Sequence, residues 1–329
     1  MSVVPVPLHG FGKLPLAGDF IHFRLEGDEA RAFVGWLERG QALVESIRRG
    51  GGEDTAGGAA EPRRFRFAFD PGNGRRLLVG VLRESHDRGA LRRFPFALFA
   101  SLEASGFRER PSLMPLLFAE PWEMLDTGME SLGRATGTEE LFGLLSGMSI
   151  SVPEAGRATA KDVDGILGGT FAGEFWTVLL GEGSVARRAA LFDLLVQTLL
   201  PFRKNRPEEV PVALKLPLAG GARDVSVQSV FWVELLAGML RGARLAPSVF
   251  LSTAPEGGTP TSLHVFFQRA DETNFAALLT RRYEADYVSD LTDPGPAASP
   301  PSALGGAARR QIDDEGASLQ DLVRFRWIG

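Results

Sequence analysis

The chain has 329 residues, 44% of them hydrophobic, enough to build one large or two moderate cores. It contains no cysteine, which excludes disulfides, thiolate nucleophiles and Cys-containing zinc sites. Its 36 basic and 41 acidic residues give a formal charge of -5, which argues against a general nucleic-acid binder whose affinity rests on phosphate neutralisation.

The opening MSVVPVPLHGFGKLPLAGDF is broken by proline and glycine before any apolar targeting segment can form, and no later apolar run is long enough to span a bilayer. A cytoplasmic protein is the expectation. Ala30, Phe33, Trp36, Leu37, Leu43, Val44 and Ile47 recur at mostly three- and four-residue spacings, which predicts a helix over about residues 28 to 48. Gly50-Gly51-Gly52 ends it, and residues 50 to 62 read as a Gly/Ala-rich loop. Phe65, Phe67 and Phe69 then alternate with Arg64, Arg66 and Ala68, the period of a half-buried strand. Turn chemistry over residues 70 to 74 leads to expected strands at Leu77–Leu82 and Phe94–Leu102, and Leu113–Leu145 reads as helical in pieces.

The second half continues the mixture. A strand is expected near Phe171–Leu180, a helix near Ser184–Leu200, a strand at Val210–Leu216 and a helix at Val227–Leu240. Strands at 248 to 253 and 262 to 268 and a helix at 271 to 284 follow. The pattern implies an α/β protein with layers of helices on a mixed sheet, in two packed α/β halves. The expected divisions are 1–150, 151–292, a flexible linker over 293–318 that begins with a Pro/Gly/Ala-rich run, and an apolar tail over 319–329. The hexapeptide KLPLAG occurs at 13–18 and again at 215–220, each time before a helix carrying a tryptophan, as an old duplication would leave it.

Nine arginines between Arg63 and Arg93 face only Asp70, Glu84 and Asp87, so this window is strongly basic. Strand alternation puts Arg64 and Arg66 on the face opposite the phenylalanines, where guanidinium forks suit an acidic or phosphorylated partner or form a solvated sheet face. Lys13, Asp19 and Arg88 form a candidate charged cluster for a partner, while Asp19 has the alternative of capping a turn or pairing internally. Gly12 and Gly18 are expected to provide backbone conformations that a Cβ would strain, with Pro15 fixing one φ between them. Trp36, Trp176 and Trp232 lie in periodic apolar segments and read as core. Trp327 lies in the tail and is a candidate either for partner capture or for packing back on the body.

Catalytic patterns are weak. Ser85-His86-Asp87 are adjacent in the chain and cannot form a linear relay, which leaves a hydrolase using Asp19, His86 or Asp87 as the alternative reading. His9, His22, His86 and His264 show no helix-face metal spacing, and Leu14 follows Lys13 where a phosphate-binding loop needs Ser or Thr. No metal, nucleotide or other cofactor is expected, and no small-molecule substrate.

The segment Gly12-Lys13-Leu14-Pro15-Leu16-Ala17-Gly18-Asp19-Phe20 resembles the N-terminal signature GKLPSRGDF of the TagF (ImpM) family of type VI secretion accessory proteins, with Leu16-Ala17 in place of Ser-Arg. Asp87-Arg88-Gly89-Ala90-Leu91-Arg92-Arg93-Phe94-Pro95-Phe96 resembles the family block DRVGRxFPL with one additional residue inside. Together these cover roughly residues 8 to 102. The resemblance implies an αβα-layered cytoplasmic protein without enzymatic activity, which restrains assembly of the secretion apparatus post-translationally by binding its forkhead-associated scaffold or another component. The residues carried into that expectation are Lys13, Asp19, Phe20, Arg64, Arg66, Arg88, Arg92 and Trp327 for the partner. Gly12, Pro15, Gly18 and Pro95 are the expected supports of the loops.

Overall fold

The computed structural model describes residues 5–50, 63–72, 74–152, 160–205, 210–240, 247–253, 259–293 and 303–327. The expected Gly/Ala-rich loop, over 51–62, and the Pro-rich run, over 294–302, lie outside the described residues.

In chain order the first half contains β1 (Pro5–Pro7), β2 (His9–Gly12), β3 (Ile21–Phe23), α1 (Asp28–Arg49), β4 (Arg64–Phe69), β5 (Arg76–Arg83) and β6 (Phe96–Glu103). It continues with α2 (Ser105–Glu109), α3 (Leu113–Leu117), α4 (Ala119–Gly133), α5 (Thr138–Gly147) and β7 (Ser149–Ser151). The second half contains α6 (Ala160–Gly168), α7 (Ala172–Leu180), α8 (Val185–Asn205), β8 (Ala213–Pro217), α9 (Ala222–Met239), β9 (Ser248–Thr253) and β10 (Pro260–Phe266). It closes with α10 (Glu272–Leu279), α11 (Arg281–Tyr287), β11 (Val288–Asp290), α12 (Gly306–Asp313) and α13 (Leu319–Arg324).

Among the described residues nine strands form one sheet in the order β11-β8-β10-β9-β4-β5-β6-β2-β3, with β1 and β7 paired separately. Only β11 and β8 run parallel in it; the other neighbours are antiparallel. The two halves of the sequence share this sheet, because β4 pairs with β9 from Arg64 opposite Thr253 to Ala68 opposite Val249.

Each face is covered. Phe65, Phe67 and Phe69 of β4, with Leu78 and Leu82 of β5, pack against Phe33, Trp36 and Leu37 of α1 and Phe275 of α10. Acidic Asp28 and Glu29 at the start of α1 and basic Arg48 and Arg49 at its end match the helix dipole. A Cβ on Gly40 of α1 would lie 2.3 Å from the Phe275 ring, so this glycine sets how closely α1 and α10 approach. On the other face Val79 and Val81 meet Trp122, Leu125 and Met129 of α4, and the same core runs on through α9 to α7 and α8. This is a layered α/β architecture with a mixed sheet.

Several segments differ from expectation. The stretch near Phe171–Leu180 is helix α7 and not a strand: Ala172, Phe175, Trp176, Leu179 and Leu180 are buried, at spacings of three and four, so one stripe faces the core. Thr280 is extended and breaks the expected 271–284 helix in two, its hydroxyl accepting from the Tyr283 N–H at 3.4 Å to start α11. Within the span expected to be a flexible linker, α12 is ordered, with Ala308 and Ile312 buried against the core. The tail also docks on the body: Leu319 and Leu322 of α13 are buried, and Trp327 lies 4.3 Å from the ring of Phe192 in α8.

Candidate functional site

Strand β2 ends at Gly12, whose φ is +130°, and a Cβ there would lie 2.0 Å from the carbonyl oxygen of Pro95. Only glycine permits this approach, and it brings two connections together. Residues 13–20 leave β2, while residues 84–95 lead into β6, and the β2–β6 pairing of Gly12 with Phe96 holds them side by side.

Asp87, 4% exposed, joins the two loops. One carboxylate oxygen accepts the N–H groups of Leu91 and Arg92 at 3.0 and 3.3 Å; the other accepts from Arg92 Nε at 2.8 Å and lies 3.7 Å from Lys13 Nζ. The Arg92 hydrogen bond, aided by backbone N–H groups and the Lys13 charge, holds this carboxyl down at about 2. Lys13 is itself buried, with its ammonium 4.4 Å over the Phe20 ring. Phe20 stacks on Phe11 at 5.6 Å and meets Phe94 edge-on at 4.8 Å. From the second loop Arg88 donates through its backbone N–H to Ala17 O at 2.9 Å and through Nε to Leu16 O at 3.0 Å. Arg92 Nη2 donates to Gly18 O at 2.7 Å. Pro15 and Asp19 are exposed on the same surface, Asp19 accepting from the Phe20 N–H at 2.8 Å.

A family model described as the TagF N-terminal domain, type VI secretion system-associated, matches residues 10–135, which span both loops and the helix α4 behind them. Residues 10–135 are a TagF N-terminal domain. The chain is thus type VI secretion-associated. It is also similar to the crystal structure of PA0076 from Pseudomonas aeruginosa PAO1, at 15% identity over 83% of this chain and 94% of that one, with a TM-score of 0.39. No curated protein matches the chain.

The TagF domain therefore brings Gly12, Lys13, Pro15, Asp19, Phe20, Arg88, Arg92 and Pro95 to one place. Gly18 is there too, but its φ is not positive and a Cβ would meet nothing within 4 Å, so the backbone does not require glycine at that position. Arg64 and Arg66 are elsewhere. They do lie on the sheet face opposite the phenylalanines, but α4 covers that face: Arg66 Nε binds Asp126 at 2.6 Å, and Arg64 lies 3.9 Å from Glu130. The basic window is thus largely neutralised within the fold, with Arg63 also donating to Leu278 O at 2.6 Å and Arg76 paired with Glu103 at 2.9 Å. Trp327 is 6% exposed, and its indole N–H donates to Leu322 O at 2.8 Å, which places it in the core of the second half rather than on a capture surface.

Leu91 is the surface residue that sequence reasoning passed over. It is 88% exposed at the tip of the second loop, beside exposed Arg88, Arg92 and Arg93. Its neighbour Ala90 is held at φ +53°, a left-handed conformation uncommon for a residue with a Cβ, and the Ala90 N–H donates to Asp87 O at 2.9 Å. A lone apolar residue inside a run of arginines is the only signal the sequence offered.

The groups named for hydrolysis do not converge. His86 Nδ1 meets the backbone carbonyl of Asp87 at 2.7 Å, the Asp87 carboxylate is taken by Arg92 and Lys13, and among the described residues Asp19 binds only its neighbour's N–H. Among the described residues no group of three or more His, Asp or Glu side chains has metal-binding geometry, and no helix is long and apolar enough to cross a membrane.

Proposed function

We propose that the chain is a cytoplasmic, non-enzymatic regulator of a type VI secretion system that restrains assembly post-translationally by binding the apparatus's forkhead-associated scaffold protein. The observation that carries this reading is the paired-loop surface: Leu91 projects from a loop already fixed by Asp87, Arg88 and Arg92. A preordered loop loses little conformational entropy on binding, and an exposed aliphatic group ringed by arginines suits an apolar pocket with an acidic rim. The TagF N-terminal domain supports the secretion-system setting, and its resemblance in the two loop motifs supports the scaffold as partner. Binding free energy is then the whole mechanism: the bound scaffold is withheld from productive assembly.

The test is a pull-down from cytoplasmic extract with the purified full-length protein, followed by titration of the recovered scaffold against L91D and the R88A variant. Each substitution is expected to weaken binding at least ~10-fold while leaving the thermal transition nearly unchanged for L91D. Binding of undiminished strength in L91D would remove the loop surface from the proposal. Recovery of no secretion component would remove the regulator reading itself.

A further inference from the structure

Beside the paired loops, the last residue of β5, the approach to β6, Gln41 and Arg48 of α1 and, from the opposite face of the sheet, Met129 and Gly133 of α4 line an open cleft of about 340 Å³. Leu14, Phe94, Phe96 and Met129 give it apolar walls, and Arg48, Arg83, Arg93 and His86 stand along it. Its volume falls in the range of small-ligand pockets.

Among the described residues the charges lining this cleft do not balance. Glu84 is the one carboxylate among the described residues lining it, and that group is engaged by Arg48 Nη2 at 3.1 Å and by the Arg63 N–H at 2.9 Å. Neither the Arg83 nor the Arg93 guanidinium has a hydrogen bond or ion pair among the described residues. Every other arginine of the basic window from Arg63 to Arg92 is engaged within the fold. Burial and the neighbouring Arg64 both disfavour the Arg83 cation, and Glu130, which Arg64 also contacts, only partly opposes them. With Arg48 and Glu84 set aside as a pair, Arg83 and Arg93 leave two positive charges among the described residues of a concave, partly apolar surface. The Nδ1 side of His86 is held by the Asp87 carbonyl, which leaves Nε2 without a protein partner among the described residues.

We infer that this cleft binds a small phosphate monoester, the phosphate between Arg83 and Arg93 and the organic group against Leu14, Phe94 and Met129. A phosphate monoester carries close to two negative charges at neutral pH, the number the cleft leaves uncompensated, and guanidinium forks match its oxygens. A carboxylate would leave one cation unneutralised. The small volume of the cleft and the apolar side chains beside the two arginines suit a free small molecule better than a phosphorylated residue on a long chain. The cleft adjoins the Leu91 surface through Arg93, but its phosphate site does not depend on what that surface binds.

The experiment is calorimetric titration of the purified full chain with phenyl phosphate, with inorganic phosphate and a phosphoserine peptide as comparison ligands. Phenyl phosphate is expected to bind, more tightly than inorganic phosphate, and to be weakened by ~10-fold or more in R93Q and further in R83Q/R93Q. R31Q, which alters an exposed arginine in the first turn of α1, away from the cleft, should keep its affinity within about twofold. Arg93 is exposed, so R93Q keeps the test valid if the double variant fails to fold. No binding of phenyl phosphate, or binding undiminished in R93Q, overturns the proposal. Equal binding of inorganic phosphate overturns the apolar subsite, and tighter binding of the phosphopeptide overturns the small-molecule assignment. Since the titration contains no partner protein, its failure is distinct from failure of the scaffold-binding reading.

Discussion

Asp87 is held by more donors than any neighbouring carboxylate at the loop junction, and its titration gives the junction a pH signature. Its folded pKa lies at about 2, below the ordinary 3.8, so the unfolded chain binds the proton first as pH falls. Its contribution is complete above about pH 4 and is lost as pH falls from there through 2. His264 acts in a different window: burial, with Lys215 and Arg63 nearby, lowers it from 6.5 to about 3, so its cost accumulates as pH falls from 6.5 to 3. D87N retains His264, so the comparison with the wild type isolates the carboxylate. Thermal unfolding scans should show the wild type losing stability more steeply than D87N between pH 4 and 2, while above pH 4 the offset between them stays constant. Parallel curves throughout would mean that Asp87 does not hold the loops. At this scale the two motifs were legible as motifs, since Lys13, Phe20, Arg88 and Arg92 were all named from them. Their mutual contacts were not, because sequence distance hides a hydrogen bond from Arg92 to Gly18.

Among the elements, α4 changes the meaning of the arginine strand. Alternation correctly separates Arg64 and Arg66 from the three phenylalanines, yet both of these faces are buried in layers, one under α1 and the other under α4. Asp126 on α4 has its pKa raised by burial in spite of Arg66, so it relies on that guanidinium to remain charged. R66A should therefore cost about 1–3 kcal/mol in urea denaturation at pH 7, because a desolvated carboxylate loses its partner. The cost should shrink at low pH, where Asp126 is protonated, and it should leave scaffold binding intact. Helix α7 teaches a related lesson: a window such as FAGEFWTVLL is apolar enough to read as a strand, but its buried positions follow the helical period.

For the molecule as a whole, one sheet joins the halves and the C-terminal segment closes the second core. Trp327 packs between Phe192 and Phe325, with ring centroids 4.3 and 4.7 Å away, and its N–H is satisfied inside the fold. W327A is accordingly expected to destabilise the protein by about 2–4 kcal/mol, read from the denaturation midpoint, through lost burial and the cavity left behind. It should not weaken binding of the scaffold by the folded fraction. A variant of unchanged stability with weakened binding would return Trp327 to the partner surface.

Residue types and their spacing determined the layered α/β class, most helices and strands, the absence of cysteine chemistry and the two loop motifs, because each depends on local periodicity or composition. Tertiary structure alone decided that β4 pairs with β9, that α4 neutralises Arg64 and Arg66, that Trp327 is buried and that Leu91 is bare. These depend on which distant segments meet. A residue's exposure and the fate of its charge are set by partners from elsewhere in the chain, and no local pattern records them.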